Sequence, residues 1–139
     1  MLSLKNIREL DDKQDNWLIV RSFTGTLPVR SVQVDVLSPS RHLFFAYRRW
    51  ANEGRWNMQM FNDCYVPEFL RQMKNDREAK DVLNRLYLES RTKDISLACY
   101  CENERMCHRS IVGGLLLGAG ANISCNQEYK KYWDMFKHI

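Results

Sequence analysis

The stretch from Ile95 to Cys101 (ISLACYC) constrains this chain more than any other. It shows no alternation of apolar and polar residues. An alternating strand rests one face on a core and shows the other to water, whereas an unbroken apolar run suits a strand covered on both faces, as in parallel sheets. We therefore read Ile95–Cys101 as a buried strand. A polar loop, Glu102–Met106, follows it. Ser110–Ala119 reads as a helix despite Gly113, Gly114 and Gly118.

The remaining pattern extends this plan. Trp17–Phe23 is apolar and β-branched and predicts a strand, with Gly25 and Pro28 marking the turn after it. Val32–Leu37 alternates through Val32, Val34 and Val36 and predicts a second strand ending at Ser38-Pro39-Ser40. Ser38 or Ser40 is a helix cap for Arg41–Glu53, which carries Leu43, Phe44, Tyr47 and Trp50 at helical spacing and stops at Gly54. Asn57–Tyr65 predicts a short helix, and Pro67 opens a further turn. Asp76 caps a long helix to Arg91 with Ala79, Val82, Leu83, Leu86 and Tyr87 on one stripe. Ile123 and Ser124 read as a short strand, and Tyr129–His138 as a terminal amphipathic helix. Strands joined by helical crossovers imply one α/β domain over 17–139, a mostly parallel short sheet between helices in a Rossmann-like three-layer arrangement. Residues 1–16 are polar and are expected to form an N-terminal arm or an edge strand.

A chain of 139 residues with 45% hydrophobic and 27% charged residues can bury a core without staples, which excludes a disordered tail or a disulfide knot. No apolar run reaches the roughly 18 residues that span a bilayer, so no membrane partner is expected. Met1–Leu10 lacks a signal-peptide core, and a cytoplasmic location is the expectation. There, clustered thiols point to a metal, a reactive site or plain burial rather than to disulfides. The net charge of +4 permits a phosphate-bearing partner without requiring one.

The chemistry concentrates between the buried strand and the glycine-bearing helix, in Cys99-Tyr-Cys101-Glu-Asn-Glu-Arg105-Met-Cys107-His108-Arg109-Ser110. A helix start presents unpaired N–H groups and a positive dipole end, which together suit an anion. Arg109 can grip phosphate through two N–H groups, His108 can orient a ligand or move a proton, and Cys107 there would be a tuned thiol or a packing residue. Ligands of such sheets sit beyond the strand carboxyl ends, so Asp35 is the acid expected to face His108 and Arg109. Asp35, Cys107, His108 and Arg109 are thus the candidate catalytic residues, with Arg41, Cys99, Cys101, Arg105 and Ser110 as candidate ligand contacts. The structural alternative is an ion pair between Asp35 and Arg109 tying loop to sheet. No cofactor is expected from this reading. Cys99, Cys101, Cys107 and His108 offer four soft zinc ligands, but Cys99 and Cys101 would share one face of a strand, and the spacing matches no familiar zinc pattern. Arg41, Arg48, Arg49 and Arg55 interleave with Tyr47, Trp50 and Trp56, either as a nucleic-acid face or as a core stripe backed by solvated arginines.

These residues carry a resemblance. Cys107-His108-Arg109-Ser110 preceded by Cys99 at a strand end resembles the signature of the domain-of-unknown-function 488 (DUF488) family. Val34-Asp35-Val36 before Pro39-Ser40-Arg41 resembles its other hallmark, and Tyr65 and Phe69 match its aromatic spacing loosely. The similarity covers roughly Trp17 to Ile123. The chain departs from the pattern with Leu37 after Asp-Val, where members often have Arg, and with Cys101 where members often carry an acid. The Cys-x-Cys form is similar to small phage-type members. The resemblance implies a layered α/β fold with both motifs at one sheet edge, and little about the reaction. The function expected is the binding of a nucleotide, another phosphate-bearing small molecule or a nucleic acid at the Cys-His-Arg loop, with enzymatic action left open. The rival is a non-enzymatic phage-type protein that binds a host macromolecule through its aromatic, arginine-rich helical surface.

Overall fold

A computed structural model of the chain describes residues 1–27 and 30–139. Its strands are β1 (Leu2–Asn6), β2 (Asp15–Leu18), β3 (Ser31–Gln33), β4 (Ile95–Cys99) and β5 (Ile123–Ser124). They form one sheet in the order β3-β2-β4-β1-β5, and every neighbouring pair is parallel. Helices α1 (Arg41–Asn52), α2 (Met58–Met60), α3 (Val66–Asn75), α4 (Arg77–Glu89), α5 (His108–Gly118) and α6 (Lys131–Lys137) flank it. The layered α/β fold read from the sequence is the one present. All five residues of β4 are buried at the middle of the sheet, which is why that segment carries no alternation.

β1 corrects the reading of residues 1–16 as an arm or edge strand. Leu2–Asn6 pairs along its whole length with Ile95–Cys99, and Leu2 and Ser3 pair with Ile123 and Ser124 on the other side. Leu2 is fully buried. With only Leu2 and Leu4 apolar among the five residues, the strand has little hydropathy of its own, and its two neighbours supply the burial.

β2 begins two residues earlier than read and ends at Leu18, although the Ile19 amide still donates to the Ala98 carbonyl at 3.0 Å. The predicted strand Val32–Leu37 is a correction. β3 stops at Gln33, and Asp35–Leu37 form a 3-10 turn closed by the Ser38 amide and hydroxyl, both donating to the Asp35 carbonyl. β3 is an edge strand with one partner, so this side-chain alternative outcompetes further pairing. The turn expected at Gly25 and Pro28 falls partly on Pro28, outside the described residues.

Ser40 caps α1 by accepting from the Leu43 amide at 3.1 Å, and Asp76 caps α4 by accepting from the Ala79 amide at 3.2 Å. The further turn read from Pro67 belongs to a longer helical run. α2 passes through a π-helical turn, Phe61–Tyr65, directly into α3, whose first turn holds Pro67. The missing N–H of Pro67 falls where the ladder changes register, just after the Val66 amide donates to the Phe61 carbonyl five residues back. The glycines of α5 permit close approach. A Cβ at Gly114 would strike the Tyr129 carbonyl, and one at Gly118 the Trp133 ring.

The topology places the site. From β2 the chain leaves toward β3, and from β4 it crosses over β1 toward β5. Connections that diverge from adjacent parallel strands open a crevice at their carboxyl ends. That crevice lies above Leu18 and Cys99.

Candidate functional site

Beyond the ends of β2 and β4 lies a cavity of about 530 Å³. Phe44 and Tyr47 of α1, with Trp56, Tyr65 and Tyr100, wall it, and Arg21, Ser22 and Glu102 supply its polar margin. The walls brace one another. Tyr47 meets Trp56 edge-on at 4.7 Å, Trp56 meets Tyr65 at 5.6 Å, and Trp50 stacks behind Trp56 at 6.2 Å with planes 4° apart. Phe23 stacks on Tyr100 at 5.8 Å. Arg21 is anchored by donating from Nε and Nη2 to the Pro39 carbonyl at 3.2 and 2.9 Å.

Cys99, Cys101, Cys107 and His108 also line the cavity. Cys99 ends β4, Cys107 is the N-cap residue of α5 and His108 opens that helix. The three sulfurs and one ring nitrogen of these residues all lie within 4.8 Å of one another. Cys99 Sγ is 2.8 Å from Cys107 Sγ, which is 3.7 Å from His108 Nδ1. The other imidazole nitrogen, Nε2, donates to the Ile19 carbonyl at 2.6 Å. This corrects the premise that Cys99 and Cys101 share a strand face. Residues two apart on a strand sit roughly 6.5 Å apart. The strand ends at Cys99, so Cys101 turns inward instead.

The cluster is electrically uneven. The Cys101 thiol is driven well below its ordinary range because Cys107 and Cys99 donate hydrogen bonds toward it. Cys99 is pushed up through those bonds and its burial, and burial pushes Cys107 up to about 12. Burial works against charge on His108, but the Cys101 hydrogen bond and the nearby thiols outweigh it and raise its pKa. Negative charge is therefore favoured on half-buried Cys101, beside the His108 imidazole.

The other predicted site residues fall elsewhere. Arg109 is only 3% exposed, and its Nη2 donates to the Cys101 carbonyl at 2.6 Å. It braces the loop from beneath and does not line the cavity. Asp35 is exposed on its 3-10 turn and makes no ion pair with Arg109, which corrects both the pocket and the tie between loop and sheet that were expected of that pair. Arg41 is exposed in the first turn of α1, outside the cavity lining. Arg105 is exposed and paired with Glu128 at 3.4 Å. Ser110 is fully buried, its hydroxyl donating to the Cys107 carbonyl at 2.8 Å. Conversely, Arg21, Ser22 and Tyr100 were not singled out from the sequence. The signal that would have found them is strand adjacency, since residues just past β2 must face residues just past β4.

A protein-family model described as the active DUF488-N3 subclade matches residues 2–120. No curated protein and no solved structure matches the chain.

Proposed function

The chain belongs to the DUF488 family, and we propose that it binds a nucleotide, free or exposed in a nucleic acid, by taking the base into the aromatic cavity above the thiol and imidazole floor. The observation that carries this reading is the composition of that cavity. Its walls are aromatic, its volume is about 530 Å³, and its polar groups are few and grouped at the margin. A pocket of this size with few directed polar groups suits a small, largely flat ligand. Stacking a base on an aromatic side chain is worth about 1–3 kcal/mol and tolerates any base. Arg21, fixed at the margin, is the guanidinium placed to meet the phosphate, since Arg109 is buried beneath the loop. At the cavity floor, Cys99, Cys101, Cys107 and His108 are the groups able to act on a bound nucleotide.

The rival reading requires Trp50 and Trp56 to form a flat outward patch. Both are half-buried and stacked on each other, and the neighbouring Arg49 and Arg55 are paired with Glu53. The nucleotide reading is therefore the better supported.

Titration of nucleoside monophosphates, nucleosides and inorganic phosphate, followed by tryptophan fluorescence and thermal shift, tests it. Nucleotides are expected to raise the unfolding temperature by mass action. Trp56→Ala is expected to weaken them about 5- to 150-fold, matching one lost stacking contact. Arg21→Ala is expected to weaken nucleotides but not nucleosides. Inorganic phosphate binding as well as a nucleotide, or no binding of nucleotides and short single strands, would overturn the reading.

A further inference from the structure

We propose that Cys99, Cys101, Cys107 and His108 form a tetrahedral site for one zinc ion, with Arg109 as its buried counter-charge. The site lies in the floor of the nucleotide cavity, but its case is independent of what fills that cavity.

The first argument is reach. Zinc bonds thiolate sulfur at about 2.3 Å and imidazole nitrogen at about 2.0–2.1 Å, which sets tetrahedral edges of roughly 3.4–3.8 Å. The four donor atoms already lie within 4.8 Å of one another, and the closest pair, Cys99 Sγ and Cys107 Sγ, is 2.8 Å apart. Each pair needs to adjust by only about 1 Å, within what a side-chain rotation supplies. The fixed ends of two elements, β4 and α5, hold three of the donors, so the site is formed by the fold and not by a flexible knuckle.

The second argument is the tautomer. His108 Nε2–H donates to the Ile19 carbonyl at 2.6 Å, which leaves Nδ1 as the lone-pair nitrogen when the ring is neutral. Nδ1 is the nitrogen that faces Cys107 Sγ. A ligating histidine usually donates its other N–H to a carbonyl or carboxylate, and that partner fixes the ring. Here the partner is a backbone carbonyl at the end of β2.

The third argument is charge. Arg109 is 3% exposed, its Nε has no hydrogen-bond partner, and among the described residues no carboxylate lies within ion-pair distance of it. Its neighbour Glu104 instead accepts from the Tyr129 hydroxyl at 2.6 Å. Three neutral thiols, or a Cys101 thiolate balanced by a protonated His108, would leave a buried guanidinium without a counter-ion, an expensive arrangement. Three thiolates, a neutral imidazole and one divalent cation carry a single negative charge, which Arg109 cancels. Thiolate-rich donor sets select zinc over hard divalent ions. With four ligands from the chain, the ion closes the cavity floor, and half-buried Cys101 is the ligand that a bound molecule meets.

The test is metal content and cobalt spectroscopy of the full chain purified under reducing conditions. One zinc per chain is expected. After chelation, cobalt(II) is expected to restore one equivalent with thiolate charge-transfer absorption and the strong visible bands of a tetrahedral ion, and zinc is expected to displace it. Arg109→Gln is expected to weaken zinc about 10- to 100-fold, the range of outer-sphere partners, and Cys101→Ser or His108→Ala by more. Replacing Cys64 and Cys125 together by serine is expected to change nothing. If the ligand variants do not fold, the cobalt spectrum of the unaltered chain decides alone. Absence of thiolate–cobalt absorption in the reduced chain, or a Cys99–Cys107 disulfide under those reducing conditions, overturns the proposal. A chain that takes metal but no nucleotide defeats only the nucleotide reading, and one that binds nucleotides but no metal defeats only this one.

Discussion

At the scale of single residues, Arg105 and Arg109 show how little a side chain's chemistry says without its surroundings. Both are arginines flanking the same short loop. Arg105 is exposed and shares a solvated ion pair with Glu128, whereas Arg109 is buried and holds the Cys101 carbonyl at 2.6 Å. Exposed pairs contribute about 0–1 kcal/mol, and hydrogen bonds from a charged donor about 1.5–3 kcal/mol. Urea denaturation of the chain as purified should therefore show Arg109→Leu destabilised by about 1.5–3 kcal/mol and Arg105→Leu by no more than about 1 kcal/mol. Equal losses would mean that Arg109 is not the brace described.

Among the elements, α5 sets the tightest packing. Its glycines face three different surfaces. A Cβ at Gly114 meets the Tyr129 backbone, whereas one at Gly113 meets only the flexible end of Leu4. Overpacking costs about 1–3 kcal/mol where neighbours cannot give way, and the helix gains roughly 0.5–1 kcal/mol whenever glycine becomes alanine. Gly114→Ala is accordingly expected to lower the unfolding midpoint, and Gly113→Ala to be close to neutral, in parallel denaturant titrations. A larger loss for Gly113→Ala would contradict this packing. β1 offers a second test. Leu2 is fully buried between β4 and β5, so Leu2→Ala should cost about 2–5 kcal/mol. A dispensable arm would lose almost nothing.

For the molecule as a whole, the placement of cations fixes how binding should respond to salt. Arg49 and Arg55 are paired with Glu53, while Arg21 sits at the cavity margin. Each phosphate neutralised on a single strand contributes a slope of roughly −0.7 in log affinity against log salt. Short single-stranded oligonucleotides should therefore give a slope near −0.7, set by Arg21. A slope several times steeper would point to the arginine-rich face of α1 and against the cavity.

The local pattern was sufficient for much of this protein. Ser40 and Asp76 cap their helices as their positions foretold, the apolar run from Ile95 marks a doubly covered strand, and Cys107-His108-Arg109 marks the region where the floor of the cavity forms. Capping, periodicity and strand burial act over a few residues, so a chain records them where they act. Strand order acts between residues far apart in sequence and leaves no local mark. It is the order β3-β2-β4-β1-β5 that makes Leu2–Asn6 an interior strand, carries Arg21 and the Ile19 carbonyl to the thiol cluster, and leaves Asp35 outside it. Ending β4 at Cys99 turns two cysteines from strand neighbours into convergent donors, a consequence of where pairing stops rather than of what the residues are.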